Sequence, residues 1–278
     1  MLKRRAALLP LTITRLPERM AHLSAGEWAM LLPFGVFCFV YPFALLLLSF
    51  DWMPFGMEWM SSLLLAMLGL AAWTWLRLNF SLVGAALGAL IFAAGVALEY
   101  IGVSSGLPFG HYRYTGVLVP GLPGGVPLAI GFAWLFICIS SLFTAATLRR
   151  FPGNPPRRLL LVTVGALLAT GLDLLLEPVA YRVKGYWQWL EPTAPYYGVP
   201  WSNFAAWFAA ALLLNALVIS LLSPTSTATR YPWLPSALYT MNIALFAVVA
   251  LAHALWLPAL IGLFLLLALW ALARPSPR

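Results

Sequence analysis

Apolar runs of bilayer length constrain this chain more than any other feature. Eight are legible, at roughly 29–50, 58–76, 81–101, 127–148, 158–180, 202–222, 234–252 and 254–273. A membrane span needs about 20 mostly apolar residues. Within lipid each backbone N–H and C=O must be paired inside the segment, which selects helices. The chain is 63% hydrophobic and only 9% charged, with a mean hydropathy of +0.91. Soluble domains carry about a quarter charged residues, so a water-soluble fold is excluded. The expected fold is all-α, a polytopic membrane helical bundle of about eight transmembrane helices in the cell membrane. Only Ala252, His253 and Ala254 separate the last two runs. A single helix of about 40 residues would overreach the bilayer, so a tight hairpin is expected near 253–258.

Basic residues set the orientation, because loops rich in Lys and Arg stay cytoplasmic. With the N-terminus inside, the cytoplasmic side receives Lys3, Arg4, Arg5, Arg15, Arg19, Arg77, Arg149, Arg150, Arg157, Arg158, Arg230, Arg274 and Arg278. The outside receives Arg113, Arg182 and Lys184 alone. An even number of spans then leaves both termini cytoplasmic. The expected organisation is a basic cytoplasmic segment over 1–26, a single transmembrane domain over 27–273 and a tail at 274–278. The basic turn 149–158 and the Ser/Thr/Pro loop 223–235 fall inside, and the loops 102–126 and 182–201 outside. The net charge of +8 is spread between apolar runs, where headgroups and orientation account for it, so no nucleic-acid partner is expected. Cys38 and Cys138 both lie in apolar runs and read as small buried hydrophobes, without a disulfide.

Of the 8 acidic residues, three sit inside these runs: Glu99 in 81–103, and Asp173 with Glu177 in 159–181. A carboxylate at membrane depth is unfavourable by roughly 2.5–3.5 kcal/mol on insertion scales and marks a functional site by default. Asp173 and Glu177 are four apart and share one helix face. Pro178 and an aromatic loop follow directly, so the pair lies near the outer end of its span, at the depth of Glu99. Both outer loops are dense in Gly, Pro and aromatics, a pattern more typical of binding loops than of connectors. Ion pairing of Asp173 or Glu177 with Arg113, Arg182 or Lys184 is the structural alternative. Asn203 and Asn215 can equally serve as interhelical hydrogen-bond glue. His22, His111 and His253 are dispersed, which disfavours a histidine-rich iron site, and no metal or cofactor is expected.

The stretch E-Y-I-G-V-S-S-G-L-P-F-G-H-Y-R-Y-T (99–115), with G-V-P-L (125–128) and Trp134, resembles the first signature of CruF-type membrane carotenoid 1,2-hydratases. That family includes γ-carotene 1′-hydroxylases and bisanhydrobacterioruberin hydratases. The segments L-D-L-L-L-E-P-V (172–179), G-Y-W-Q-W (185–189), Y-Y-G-V-P-W-S-N-F (196–204) and Trp207 resemble the second. The likeness covers roughly 100 residues in two blocks. Glu177 stands where the family pattern commonly has Asp, which keeps the acid and moves it by one methylene.

The resemblance implies a cofactor-independent hydro-lyase of carotenoid biosynthesis. It would add water across the terminal C1–C2 double bond of an acyclic carotenoid end, such as that of lycopene or γ-carotene. An acid protonates C2, a tertiary cation forms at C1, and water captures it with a base's help. Alkene protonation needs a carboxylic acid that stays protonated at neutral pH, a condition that desolvation and a neighbouring carboxylate favour. The expected catalytic residues are Asp173 as proton donor, with Glu177 or Glu99 deprotonating the water. Phe109, His111, Tyr112, Tyr114, Trp187, Trp189, Tyr197, Trp201 and Asn203 are the expected substrate-binding residues. Electron-rich rings stabilise a cation by up to about 2 kcal/mol when desolvated, and His111 or Asn203 would position the water. The rival reading is a transporter or channel whose intramembrane carboxylates relay protons. That reading wants acids at the midplane and repeated or broken helices, which the sequence does not display.

Overall fold

The structure is a computed structural model that describes residues 22–148, 156–191, 194–222 and 229–273. Most of the basic segment 1–26, most of the 149–158 turn, part of the 223–235 loop and the tail 274–278 therefore lie outside the described residues. Seven helices are present among the described residues: α1 (Ala25–Ser49), α2 (Trp59–Ser105), α3 (Leu128–Thr147), α4 (Pro156–Pro178), α5 (Trp201–Leu221), α6 (Leu234–Ala252) and α7 (Trp256–Ala273). Each is long and apolar enough to cross a membrane. The chain has the character of a multi-pass membrane protein and is nearly all helical.

The count is seven rather than about eight because the expected runs 58–76 and 81–101 belong to one element, α2. Its backbone leaves helical geometry at Phe80 (φ −129°, ψ 17°) and Ser81 (φ 53°, ψ −137°). The two arms then fold back on each other. The rings of Trp73 and Phe92 lie 6.1 Å apart, whereas 19 residues of straight helix would separate them by about 28 Å. Trp73 Nε1 also donates to the Ala85 carbonyl at 3.0 Å. Asn79 holds the bend, donating to the Trp75 carbonyl at 2.9 Å and accepting from the Arg230 N–H at 2.6 Å. Glycines make the close packing possible. A Cβ on Gly88 would meet Trp73 at 2.5 Å, and one on Gly95 would meet Trp134 of α3 at 2.6 Å. The expected break between α6 and α7 falls at 253–255.

Helix α3 is the axis of the bundle and is almost wholly buried, packed by α2, α4 and α6. By contrast α1 and α7 are largely exposed, presenting Leu32, Phe39, Leu263 and Phe264 outward. Large apolar side chains on the outside of such a bundle are what lipid, as solvent, permits. At the ends facing the two long loops, Lys184 Nζ binds Asp51 Oδ1 at 2.7 Å, joining the end of α1 to the chain beyond α4. His253 Nε2, in the α6–α7 turn, lies 3.8 Å from Asp51 Oδ2.

The Lys184 hydrogen bond holds the Asp51 carboxyl below the usual aspartate range, with the Lys184 charge and His253 adding to it. A lowered carboxyl value stabilises the fold above the ordinary aspartate value of about 3.9 and loses that stabilisation as pH falls through the depressed value. Because Asp51 is largely exposed, the expected contribution is under about 1 kcal/mol. Thermal melting of detergent-solubilised protein against pH should show an acid step that Asp51→Asn removes. An identical pH profile in the variant would show that the clasp carries no stability.

Candidate active site

Two helices deliver the three intramembrane carboxyl groups to one chamber. Glu99 comes from the second arm of α2, and Asp173 and Glu177 come from adjacent turns of α4. All three are buried, at 6%, 1% and 4% exposure. They line the same cavity of about 50 Å³, together with Phe109, Tyr112, Tyr114, Trp134, Trp187, Trp189, Asn203 and Trp207. Among the described residues no group of three or more His, Cys, Asp or Glu side chains is placed to share a metal ion.

The roof of the chamber is a two-stranded antiparallel sheet, not the irregular loop its Gly and Pro content suggests. Strand β1 (Tyr112–Tyr114) pairs with β2 (Trp187–Trp189), with Tyr112 opposite Trp189, Arg113 opposite Gln188 and Tyr114 opposite Trp187. Side chains of a strand alternate between faces. Y-R-Y over W-Q-W therefore turns four aromatic rings inward. Arg113 and Gln188 stay outside and bond each other at 2.9 Å.

Those inward rings are donors aimed at the acids. Tyr112 and Tyr114 hydroxyls donate to Glu99 Oε2 at 2.5 and 2.7 Å, and Trp134 Nε1 donates to Glu99 Oε1 at 3.0 Å. Trp187 and Trp189 Nε1 both donate to Glu177 Oε2, at 3.0 and 3.2 Å. Burial, with the Glu99 carboxyl beside them, pushes the Tyr112 and Tyr114 phenols well above the ordinary tyrosine range, so both remain O–H donors. Gly102 makes this contact possible, since a Cβ there would sit 2.6 Å from the Tyr112 hydroxyl. Asp173 differs from the other two. Its Oδ2 accepts from Asn203 Nδ2 at 2.9 Å, while Oδ1 is buried without a hydrogen-bond partner.

The local turn after Glu177 also has a chemical cause. Helix geometry would pair the Leu174 carbonyl with the N–H of residue 178, but that residue is Pro178, which has none. The Tyr196 hydroxyl donates to the Leu174 carbonyl instead, at 2.7 Å. Beyond the proline the chain widens into a π-helical turn over Val179–Val183, closed by the Lys184 N–H on the Val179 carbonyl. That turn feeds β2 back over the chamber. Ser202 of α5 bonds the Phe109 carbonyl at 2.7 Å and ties the opposite wall to the first loop.

The structure brings together Glu99, Asp173, Glu177, Phe109, Tyr112, Tyr114, Trp187, Trp189 and Asn203 of the expected set. His111, Tyr197 and Trp201 do not line the chamber. The alternation of β1 turns His111 to the exposed side, and Trp201 opens α5 at 56% exposure. Tyr197 instead offers its carbonyl to Arg182 Nε at 2.5 Å. The ion-pair alternative for the acids is also displaced. Arg113 binds Gln188, Arg182 binds the Tyr197 carbonyl and Lys184 binds Asp51. Asn203 serves the site, whereas Asn215 makes one long contact to the Val162 carbonyl at 3.5 Å. Trp134 and Trp207, stacked at 3.8 Å and 5°, line the chamber in addition to the expected site residues. For Trp134 the signal is depth: a Trp two turns inside a span needs a buried acceptor for its N–H, which Glu99 supplies.

Comparison with known proteins gives three findings. A family model described as carotenoid biosynthesis protein matches residues 57–269. A bisanhydrobacterioruberin hydratase of Haloarcula japonica is 33% identical over 126 residues, which is 45% of this chain and 40% of that relative. The chain thus matches well under two thirds of the relative's length. No solved structure matches significantly.

The two tryptophans on Glu177 Oε2 make a paired test. Either Trp187→Phe or Trp189→Phe leaves one donor on the carboxyl, while the double variant leaves none. Melting of the detergent-solubilised variants should show the double variant losing more than the sum of the singles, by about 0.5–3 kcal/mol. Simple additivity would mean that the two N–H groups do not share that oxygen.

Proposed function

This chain belongs to the carotenoid biosynthesis protein family, and from that premise we propose that it is a hydratase. It adds water across the terminal C1–C2 double bond of an acyclic carotenoid end, such as that of lycopene or γ-carotene. Residues 27–273 act as one transmembrane domain in the cell membrane, where both substrate and product reside. The observation that carries the reading is the contrast among three carboxyl groups around one small, ring-walled chamber: two held by aromatic donors, and Asp173 held by Asn203 alone.

Roles follow from those hydrogen bonds. Asp173 is the acid, because Asn203 fixes Oδ2 and leaves Oδ1 without a partner to deliver a proton to C2. Glu177 is the base: both tryptophans fall on Oε2, leaving Oε1 for the water. As water bonds to the C1 cation, Glu177 takes its proton, and proton return from Glu177 to Asp173 restores the site. Atoms balance as alkene plus water gives tertiary alcohol. Glu99, gripped by three donors, holds the tyrosines and supplies negative potential beside the cation. The faces of Trp187, Trp134 and Trp207 supply further stabilisation, in the range of 0.5–2 kcal/mol typical of such contacts.

The match to the Haloarcula japonica hydratase supports a hydration reaction. Acids gathered around one chamber on the side of the two long loops fit a reaction centre better than a relay crossing the bilayer. Expression in lycopene-producing cells should give new, more polar products. Asp173→Asn and Glu177→Gln should each lower their formation by about 10²–10⁴-fold, the usual loss for a general acid or base. Glu99→Gln should be affected less. Full activity in Asp173→Asn and Glu177→Gln, with protein in the membrane, would overturn the roles. Absence of hydrated product from the native chain would overturn the function.

A further inference from the structure

The acid chamber has room only for the reacting end of a long molecule. Its volume of about 50 Å³ holds roughly three to five waters, at 10–15 Å³ each. A forty-carbon polyene is about as long as the bilayer core is thick, so the remainder must run elsewhere. A second cavity of about 80 Å³ adjoins the chamber, walled by Phe37 of α1, Leu68 of α2, and Leu245 of α6. Five residues line both cavities: Ile130, Ala133 and Ile137 on α3, Leu176 on α4 and Trp187 on β2. Spacings of three and seven place the α3 trio on one helix stripe.

The lining of this second cavity selects its ligand. No charged side chain contributes to it. Its polar side chains are few and each makes a hydrogen bond within the protein: the Tyr186 hydroxyl donates to Ser61 Oγ at 2.7 Å, and Asn242 Nδ2 donates to the Leu238 carbonyl at 2.8 Å. Such a wall offers dispersion and burial and little for a polar ligand to bond. Of the five shared residues, four are large and one, Ala133, is a single methyl.

We propose that this slot binds the polyene arm next to the reacting terminus, with Ala133 as the neck through which the chain passes into the acid chamber. The proposal rests on the hydratase reading. It makes Ala133 a specificity-determining residue that sets the girth of the end admitted, remote from proton transfer itself.

The test compares native protein, Ala133→Phe and Asp173→Asn, each purified from lycopene-producing cells, for bound polyene by absorbance, hydrated product and melting temperature. Ala133→Phe should lose at least tenfold in both bound polyene and product at unchanged melting. Asp173→Asn should lose product and keep its polyene. Native levels of both in Ala133→Phe would overturn the slot and leave the hydratase reading standing. Full product in Asp173→Asn would overturn the reading's proton donor instead. Because overpacking can unfold a bundle, the native protein is also labelled with a diazirine-bearing isoprenoid. Adducts on Phe37, Leu68 or Leu245 support the slot; adducts confined to lipid-facing Leu263 and Phe264 would overturn it.

Discussion

A carboxyl group inside lipid must find its hydrogen bonds within the protein, and that demand organises this molecule. Glu99 and Glu177 meet it with five N–H and O–H groups, all aromatic. Aromatic donors suit the place, since each brings a polar tip on an apolar body that the bundle can bury. The rest of the architecture serves their delivery. Glycines on α2 let Trp134 and Tyr112 approach, a π-helical turn follows Pro178, and two short strands bring two rings to Glu99 and two to Glu177. Asp173 stands apart with an unpartnered oxygen, and an incompletely satisfied buried polar group is where chemistry is expected.

Much of this was legible in the residues. Bilayer-length runs gave the helical membrane bundle, and the scarcity of acids singled out Glu99, Asp173 and Glu177. The proposal that these meet beneath two aromatic loops follows from span placement together with charge bias. What was not legible depended on contacts across the chain. Nothing in 76–81 announces that two spans join as one bent element, because Asn79 acts through the distant Arg230 N–H. In the roof, Gly and Pro content masks a period of two. Y-R-Y and W-Q-W carry that alternation plainly, and it would have put His111 outside. Trp201 illustrates the complementary error: a ring beside a catalytic motif still anchors at the surface when it opens its helix. Tyr196 needed the knowledge that a proline four residues after Leu174 leaves a carbonyl wanting a donor.

On the proposed reading, the chamber and its apolar neighbour divide the labour. Burial of hydrocarbon supplies affinity without orientation, and the few polar atoms of the chamber supply orientation and proton transfer. Under the proposed hydration, a tertiary cation would form in a chamber lined by Trp187, Trp134 and Trp207, with Glu99 in the same lining. In that proposal exclusion of bulk water matters as much as its admission, since a single water at Glu177 must reach C1 after Asp173 has protonated C2.

The most direct measurement is isotopic. Purified protein given an acyclic carotenoid in ¹⁸O-labelled heavy water should return a product with ¹⁸O in its hydroxyl group and one non-exchangeable deuterium on the adjacent carbon. A hydroxyl oxygen drawn from dissolved O₂, or a product lacking that deuterium, would contradict proton-initiated hydration in this chamber.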